Sequence, residues 1–313
     1  MPKWIARKWD IADIPDQSGR TALVTGANSG LGLRTAEVLA GKGARVLLAC
    51  RSPERGERAL ERVRATGGEA ELVRLDLADL SSVRAAADSV RERTGDALDV
   101  LVNNAGVMAV PHGRTADGFE RQFGTNHLGH AALTWLLMPA LRHRPGARVV
   151  TVSSVAHQVG RLDLADPNYE VRRYRAWDAY AQSKLANLLF TRELDRRTRA
   201  AGVDVTSVAA HPGMTATELS GNMARARGNA LLGLGVRVSD FLSQSVEVGA
   251  LPQLYAATSP DVRPGGYYGP DGFRELRGHP APARSSTAAR DDLAASRLWD
   301  LTAKLTGVAP DPS

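Results

Sequence analysis

The chain carries a tyrosine and a lysine four residues apart, about 150 residues after a glycine-rich turn. Tyr180 and Lys184 form the pair, and the turn runs from Gly26 to Gly32 with the spacing Gly-x-x-x-Gly-x-Gly. Glycines let a backbone approach phosphates closely, so this turn can hold a dinucleotide pyrophosphate. A phenol beside an ammonium group can move a proton to or from a carbonyl oxygen. Together these features predict hydride transfer at a carbon–oxygen centre.

The elements that position these residues alternate between short apolar runs and longer segments with helical periodicity. Strands are predicted over 21–25, 44–49, 71–75, 100–102, 148–152 and 203–209, with a last short strand within 260–282. Helices are predicted over 31–40, 53–65, 82–93, 119–141, 180–200 and 291–305. Continuous apolar strands suit a parallel sheet that is buried on both faces. We therefore expect an α/β fold: a doubly wound Rossmann-type domain with a mostly parallel sheet of about seven strands and helices on both faces.

No linker divides the chain, so the sequence predicts a single main domain. We expect an N-terminal leader over 1–19, a dinucleotide-binding and catalytic domain over 20–270, and a C-terminal extension over 271–313. Glycines alternate with apolar residues within 231–242, which predicts a mobile lid at about 214–245 and an apolar or bulky substrate. Ordinary core packing is the alternative explanation of the same residues.

Composition and charge count against several other classes of protein. The hydrophobic content of 43% and charged content of 24% are typical of a soluble globular chain of 313 residues. The net charge is +6, but basic residues are interleaved with acids, as in 51–64, which favours a solvated face over a nucleic-acid interface. The one cysteine, Cys50, excludes an intrachain disulfide and fits a reducing compartment, so we expect a cytoplasmic protein.

Neither a metal site nor a membrane span is expected. The histidines have no spacing typical of metal ligands, and they are interpreted as capping or packing residues. No apolar run approaches the roughly 18 residues that a membrane-spanning helix needs. Trp4 and Trp9 lie among cations in the leader and could touch a membrane surface, although packing on the domain is the favoured interpretation.

The nucleotide half supplies the predicted cofactor contacts. The turn would hold the pyrophosphate through Gly26, Asn28, Ser29, Gly30, Leu31 and Gly32. The second strand ends at Arg51 without a carboxylate, and an arginine there can bind a 2′-phosphate, with Ser29 assisting. NADP(H) is therefore preferred over NAD(H). Alternatively, Arg51 stacks on adenine or points into water.

Two further strand ends lie beside the same predicted site. Asp76, followed by Leu77, could accept a hydrogen bond from the adenine amino group, and a helix cap is the alternative. Asn103, Ala105 and Gly106 end the fourth strand, where small residues allow backbone contact with the cofactor and asparagines can brace loops. A simple turn would use the same residue types.

The catalytic half adds a proton donor and a second set of cofactor contacts. A free tyrosine has a pKa of about 10, and a neighbouring ammonium group favours the phenolate. Ser153 and Ser154 end the fifth strand, and one of them should donate a hydrogen bond to the substrate oxygen. After the sixth strand, Pro212, Gly213, Thr215 and Thr217 can reach the carboxamide and phosphates of the cofactor.

The combination of motifs resembles the short-chain dehydrogenase/reductase family, and within it the retinol-dehydrogenase-like branch. The matching stretches are 25–32, 49–51, 126–130, 153–157, 180–187 and 212–213, which occur in the family's order. The resemblance selects Ser154 over Ser153, and it implies that Asn126 holds a water in a proton relay from Lys184. It also implies a homodimer or homotetramer that pairs through the helices over 119–141 and 180–200. The insertion over 160–177 is similar to that of this branch, and we expect it at the rim of the pocket.

The predicted activity is that of an NADP(H)-dependent carbonyl reductase or alcohol dehydrogenase acting on a small molecule. Two alternatives remain open. One is a nucleotide-binding regulatory protein without turnover, although Asn126, Ser154, Tyr180 and Lys184 are all present. The other is a reductase of an activated carbon–carbon double bond.

Overall fold

The computed structural model describes residues 8–214 and 244–312, which form one sheet of eight strands with helices on both faces. The strands are β1 Thr21–Thr25, β2 Arg45–Cys50, β3 Ala70–Arg74, β4 Val100–Asn103, β5 Ala147–Val152, β6 Val205–Ala210, β7 Tyr267–Pro270 and β8 Pro280–Pro282. Their order is β3-β2-β1-β4-β5-β6-β7-β8, and only the β7–β8 pair is antiparallel.

The predicted doubly wound α/β fold is confirmed. Strand β8 is an addition that the sequence analysis missed, because Pro280 and Pro282 are unfavourable inside a sheet. Prolines are tolerated at an edge, and β8 pairs with β7 alone.

The helices of the described residues follow the strands in the expected alternation. They are α1 Gly30–Gly41, α2 Pro53–Arg64, α3 Leu80–Thr94, α4 Arg121–Phe123, α5 Gly129–Arg142, α6 Ala176–Ala200, α7 Val246–Gly249, α8 Leu251–Thr258 and α9 Asp292–Thr306. Local chemistry fixes several ends. Asp79 caps α3 by accepting the amides of Ser81 and Ser82, and Gly95 ends this helix in the left-handed conformation.

The predicted helix over 119–141 is interrupted. A π-helical turn, Gly124–Leu128, separates α4 from α5, and the Gly129 amide donates to the Gly124 carbonyl. Such turns are rare and occur frequently at functional sites. Here the turn contains Asn126.

Apolar cores on both faces hold the carboxyl edge of the sheet in place. Helices α1, α2 and α8 pack on one face, and α3, α5, α6 and α9 cover the other. Helix α9 inserts Trp299, whose ring centroid lies 4.8 Å from that of Trp135 and 5.5 Å from that of Phe190. The C-terminal helix thereby joins the core beneath α6, the helix that carries Tyr180 and Lys184.

Candidate functional site

The glycine turn packs tightly against the loop after β4. A Cβ atom added to Gly32 would lie 2.5 Å from both the Gly26 carbonyl oxygen and the Asn104 Nδ2. No side chain fits there, so glycine is required at this position. Ser29 precedes α1 in an extended conformation, and its side chain makes no capping bond. The unpaired amides of the first turn of α1 are thus available to an anion.

A cleft of about 320 Å³ lies over the carboxyl ends of β1 to β4. Most of the predicted nucleotide contacts line it: Gly26, Asn28, Ser29, Gly30, Leu31, Gly32, Arg51, Asp76, Leu77, Ala105 and Gly106. Seven further lining residues were not among the predicted contacts: Ala49, Ser52, Arg55, Leu75, Asn104, Val107 and Thr125. Ser52 and Arg55 could have been found from the helix-start pattern after β2. Thr125 comes from the π-helical turn and carries no local signal.

The end of β2 is positively charged. Arg51 and Arg55 are exposed, and neither pairs with a carboxylate in the part of the chain that the structure describes. The nearby acid Glu54 instead binds Arg58 at 2.6 Å. The two guanidinium groups are therefore available to an anionic ligand.

Two predicted contacts are engaged within the protein. The Oδ1 atom of Asp76 accepts the Ala78 amide at 3.0 Å, although Asp76 also lines the cleft. Asp76 can therefore stabilise its local turn and still contact an adenine in the cleft. Asn103 is buried and donates from Nδ2 to the Thr134 hydroxyl at 3.0 Å, so its side chain points into the core.

The tyrosine and lysine lie on one face of α6, where the four-residue spacing puts them. Both side chains are buried, with 3% and 4% of their surface exposed. The Lys184 Nζ lies 5.6 Å from the Tyr180 ring centroid and donates to the Val152 carbonyl at 3.1 Å. This bond joins the lysine to the end of β5. Trp177 covers Tyr180 edge-on, with ring centroids 6.0 Å apart.

The two serines after β5 face in opposite directions. Ser153 is buried and donates to the Lys184 carbonyl at 2.8 Å. The Ser154 Oγ accepts the Ala156 amide at 3.2 Å, and it donates no hydrogen bond among the described residues. The Ser154 hydroxyl can therefore donate to an external oxygen.

Asn126 connects the loop after β4 to α6. Its Oδ1 accepts the Val107 amide at 2.8 Å, and its Nδ2 donates to the Val107 carbonyl and the Ser183 hydroxyl, both at 2.9 Å. A Cβ atom on Gly106 would lie 3.1 Å from the Asn126 Oδ1 and 3.6 Å from the Lys184 Nζ. Asn126 was predicted to hold a water. In the structure, its side-chain amide already makes hydrogen bonds that attach this loop to α6.

His130, which was expected to be a capping or packing residue, links the two halves of the site. Its Nδ1 donates to the Asn126 carbonyl at 3.0 Å, and its Nε2 lies 2.9 Å from the Thr25 hydroxyl. Since Nδ1 carries the ring proton, Nε2 accepts from that hydroxyl, which lies farther, at 3.3 Å, from the Val102 carbonyl and itself accepts the amides of Asn104 and Ala105. Burial lowers the pKa of His130 from 6.5 to about 4, which keeps the ring neutral as this arrangement requires. The spacing of four residues from Asn126 was the available signal.

The turn after β6 joins the site from the other side. Gly213 has a φ of +67° and its amide donates to the His211 Nδ1 at 3.3 Å. Pro212 is buried, and its carbonyl accepts from the Gln244 side chain. Thr215, Thr217 and nearly all of the predicted lid lie outside the described residues.

Two negative findings apply to residues 8–214 and 244–312. No group of three histidine, cysteine, aspartate or glutamate side chains is arranged to hold a metal ion. No helix in these ranges has the length and apolar character needed to cross a membrane.

Comparison with known proteins defines the class. Residues 20–228 match the family model for short chain dehydrogenases. Retinol dehydrogenase 13 of Homo sapiens is 40% identical over 95% of this chain and 86% of its own length. A crystal structure of a Mycobacterium paratuberculosis protein is 45% identical with a TM-score of 0.79, covering 96% of this chain and 98% of that one. A structure of an NAD(P)-dependent gluconate 5-dehydrogenase from Beutenbergia cavernae, with NADP bound at low occupancy, is 28% identical with a TM-score of 0.59, covering 77% of this chain and 90% of that one.

The chain belongs to the short-chain dehydrogenase/reductase family. Its sequence is retinol-dehydrogenase-like, as the resemblance predicted. It is therefore an oxidoreductase that binds a nicotinamide cofactor and acts on a small molecule. The tight turn at Gly32 and the free amides of α1 fit the pyrophosphate of such a cofactor.

Proposed function

We propose that this chain is an NADP(H)-dependent carbonyl reductase or alcohol dehydrogenase with Tyr180 as proton donor and acceptor. The observation that carries the proposal is that four polar side chains are buried together. Among them, Lys184 donates a hydrogen bond to the end of β5, and Asn126 donates one to α6. These four residues are Asn126, Ser154, Tyr180 and Lys184. Two alternatives stay open, namely a binding protein without turnover and a reductase of carbon–carbon double bonds.

Each side chain has a separate part in the proposed reaction. The bound nicotinamide supplies or accepts the hydride. Ser154 donates a hydrogen bond to the substrate oxygen, because its oxygen already accepts the Ala156 amide and its proton is available. Tyr180 transfers a proton to or from the same oxygen, and the nearby Lys184 ammonium favours the phenolate. Asn126 holds the loop at Gly106 beside this lysine.

The preference for NADP(H) is supported by the charge at the end of β2. Arg51 and Arg55 are exposed lining residues of the cleft, and no carboxylate ends this strand. A carboxylate at that place would repel a 2′-phosphate, whereas a guanidinium group binds it through two parallel hydrogen bonds. The Beutenbergia cavernae structure, with NADP bound at low occupancy, supports binding of this cofactor.

An apolar or bulky alcohol, aldehyde or ketone is the proposed substrate class. The insertion over 160–177 reaches Tyr180 through Trp177, whose surface is 50% exposed. An exposed aromatic ring beside the proposed proton donor favours an apolar substrate. The names of the retinol dehydrogenase relatives suggest a retinoid-like alcohol or aldehyde as the first compound to try.

Location and assembly stay predictions. We propose a cytoplasmic protein that forms a homodimer or homotetramer. Helix α9 packs against α6 and α5, the helices through which pairing is expected, so partners must use the surfaces that α9 leaves uncovered. Analytical ultracentrifugation of the full chain measures the assembly directly.

The experiment combines a substrate panel with one substitution. Purified protein should oxidise NADPH with apolar aldehydes or ketones and yield the corresponding alcohols. Tyr180→Phe should lower kcat by about 10²–10⁴-fold, because it removes the proton donor, while NADPH affinity changes little. Tyr255→Phe, a substitution on the opposite face of the sheet, is the matched control.

The outcomes separate the alternatives. A loss below tenfold in Tyr180→Phe argues against proton transfer by this residue. Tight NADPH binding without turnover supports the regulatory alternative. Saturation of a carbon–carbon bond in the product supports the third.

A further inference from the structure

Two buried histidines connect the C-terminal part of the chain to the candidate site. His211 immediately precedes the Pro212–Gly213 turn, and His157 lies in the 3₁₀ turn Val155–Val159 that follows Ser154. The Tyr267 ring packs against both, with centroid distances of 5.4 Å to His157 and 5.1 Å to His211. The two histidines and Tyr267 therefore form one layer behind the ends of β5 and β6, next to Ser154 and the Pro212–Gly213 turn.

His211 is held in one tautomer by a carboxylate from the C-terminal part. Its Nε2 donates to the Glu275 Oε2 at 3.2 Å, and its Nδ1 accepts the Gly213 amide at 3.3 Å. The other oxygen of Glu275 accepts the Arg284 amide at 2.8 Å. Both carboxylate oxygens thus act as acceptors, which directs the proton of His211 to Nε2 and leaves Nδ1 for the turn.

Glu275 reaches this position through an unusual backbone. Arg274 and Glu275 have φ values of 51° and 58°, in the left-handed region that residues other than glycine rarely adopt. Burial acts to raise the pKa of Glu275, but the hydrogen bonds from His211 and the Arg284 amide outweigh it and lower the pKa. The carboxylate is therefore ionised, as two accepted hydrogen bonds require.

His157 makes the corresponding contact with the serine loop. Its Nδ1 donates to the Ser154 carbonyl at 2.7 Å, and its Nε2 accepts the Ser286 amide at 3.3 Å. The backbone amide of His157 donates to the same carbonyl at 3.1 Å. Ser154 is thereby fixed in the extended conformation that directs its hydroxyl.

We propose that the segment 273–286 is a positioning element of the reaction. Glu275 acts through His211 on the Pro212–Gly213 turn, and the Ser286 amide acts through His157 on Ser154. The inference rests on the proposed function, because it assigns this turn to the nicotinamide half of the cofactor. The segment touches neither substrate nor cofactor, and it sets the orientation of groups that do.

Glu275→Gln is the central variant. Its amide has one acceptor oxygen instead of two, so it cannot accept from both His211 and the Arg284 amide. We expect the Kd of NADPH to rise about tenfold, which corresponds to one lost hydrogen bond to a charged group. The Kd of 2′,5′-ADP, which lacks the nicotinamide half, should change less than about twofold. Glu61→Gln, on the exposed side of α2, is the matched control.

A double-mutant cycle tests the route through His211. His211→Asn keeps an acceptor near the Nδ1 position and loses the contact with Glu275. Glu275→Gln added to His211→Asn should therefore have no further effect on the Kd of NADPH. Additive effects would overturn the proposed route, and so would a Glu275→Gln variant that weakens both ligands equally or neither.

The serine branch has its own readout. His157→Leu should lower kcat about tenfold without changing the Kd of 2′,5′-ADP, and His157→Gln, which retains a donor and an acceptor, should recover part of the loss. Thermal unfolding separates these effects from global destabilisation. Equal kcat in all three proteins would overturn this branch. Failure of the wild-type protein to bind or use NADPH would instead refute the proposed function.

Discussion

The two halves of the candidate site are assembled in different ways. Around the nucleotide cleft, the lining residues come mainly from the turns that directly follow β1 to β4. In the half that contains Tyr180, hydrogen bonds join distant parts of the chain. They link three histidines to the C-terminal part: His157 to Ser286, His211 to Glu275, and His127 to Thr302. The nucleotide half is therefore specified by local motifs, and the catalytic half by long-range packing.

This difference sets what each half tolerates. In the nucleotide half, the predicted pyrophosphate site consists of backbone amides and of glycines that leave room for the ligand, so a single added carbon has a large effect. In the catalytic half the chemistry resides in side chains held by other side chains. Substitutions far from Tyr180 in the sequence should therefore alter catalysis.

The largest expected effect comes from adding one carbon to the glycine turn. In Gly32→Ala the new Cβ would lie 2.5 Å from the Gly26 carbonyl oxygen, so the turn or the loop at Asn104 must move. A strain of about 3 kcal/mol corresponds to a roughly 100-fold loss of NADPH affinity. Isothermal titration calorimetry measures the loss. In the control, Gly41→Ala, the new Cβ would make only ordinary contacts with Thr66 at 3.7 Å, so affinity should be unchanged. Equal affinities in the two variants would contradict local control of the nucleotide half.

The next effect concerns His130, which contacts both halves of the site. His130→Leu leaves the Thr25 hydroxyl and the Asn126 carbonyl without their shared partner. Burying unsatisfied polar groups costs about 1–3 kcal/mol, so we expect about 2 kcal/mol less unfolding free energy in urea. His143→Leu, at an exposed position, should change it by less than about 0.5 kcal/mol. A His130→Leu protein with wild-type stability would show that the halves are energetically independent here.

The same difference, between local motifs and long-range contacts, explains which parts of the site could be predicted from the sequence. The glycine turn, Arg51 and the Tyr180–Lys184 pair could be located because strand ends and a four-residue helical spacing determine their positions. The sheet and its helices could be predicted because continuous apolar runs report burial on both faces. His157 and His211 were interpreted only as capping or packing residues, because their partners Ser286 and Glu275 lie 129 and 64 positions away and no local pattern indicates them. Strand β8 was missed because its prolines mimic a loop.

A smaller effect should separate the two cofactors. Arg51→Ala removes a guanidinium group from the end of β2, and we expect about a tenfold loss of NADPH affinity, the value of one charge-assisted contact. NADH affinity should change little, because NADH lacks the 2′-phosphate. Arg55→Ala should act in the same direction. Arg58→Ala, whose guanidinium group already pairs with Glu54, is the control on the same helix. Parallel losses of NADPH and NADH affinity would mean that Arg51 contacts another part of the nucleotide.

Acid should destabilise the protein through its buried histidines, of which His127 is one. Burial lowers the pKa of His127 from 6.5 to about 3, so the folded protein excludes a proton that the unfolded chain binds. The stability that this ring contributes is complete above pH 6.5 and declines as the pH falls below it. The loss should be about 1 kcal/mol between pH 6.5 and 5.5.

In His127→Gln, which retains a polar group facing Thr302, the dependence of the unfolding free energy on pH should be shallower by that amount. Urea unfolding at both pH values measures the difference. Identical slopes would mean that the ring is protonated in the folded state, which its full burial against Phe123 and Phe190 opposes.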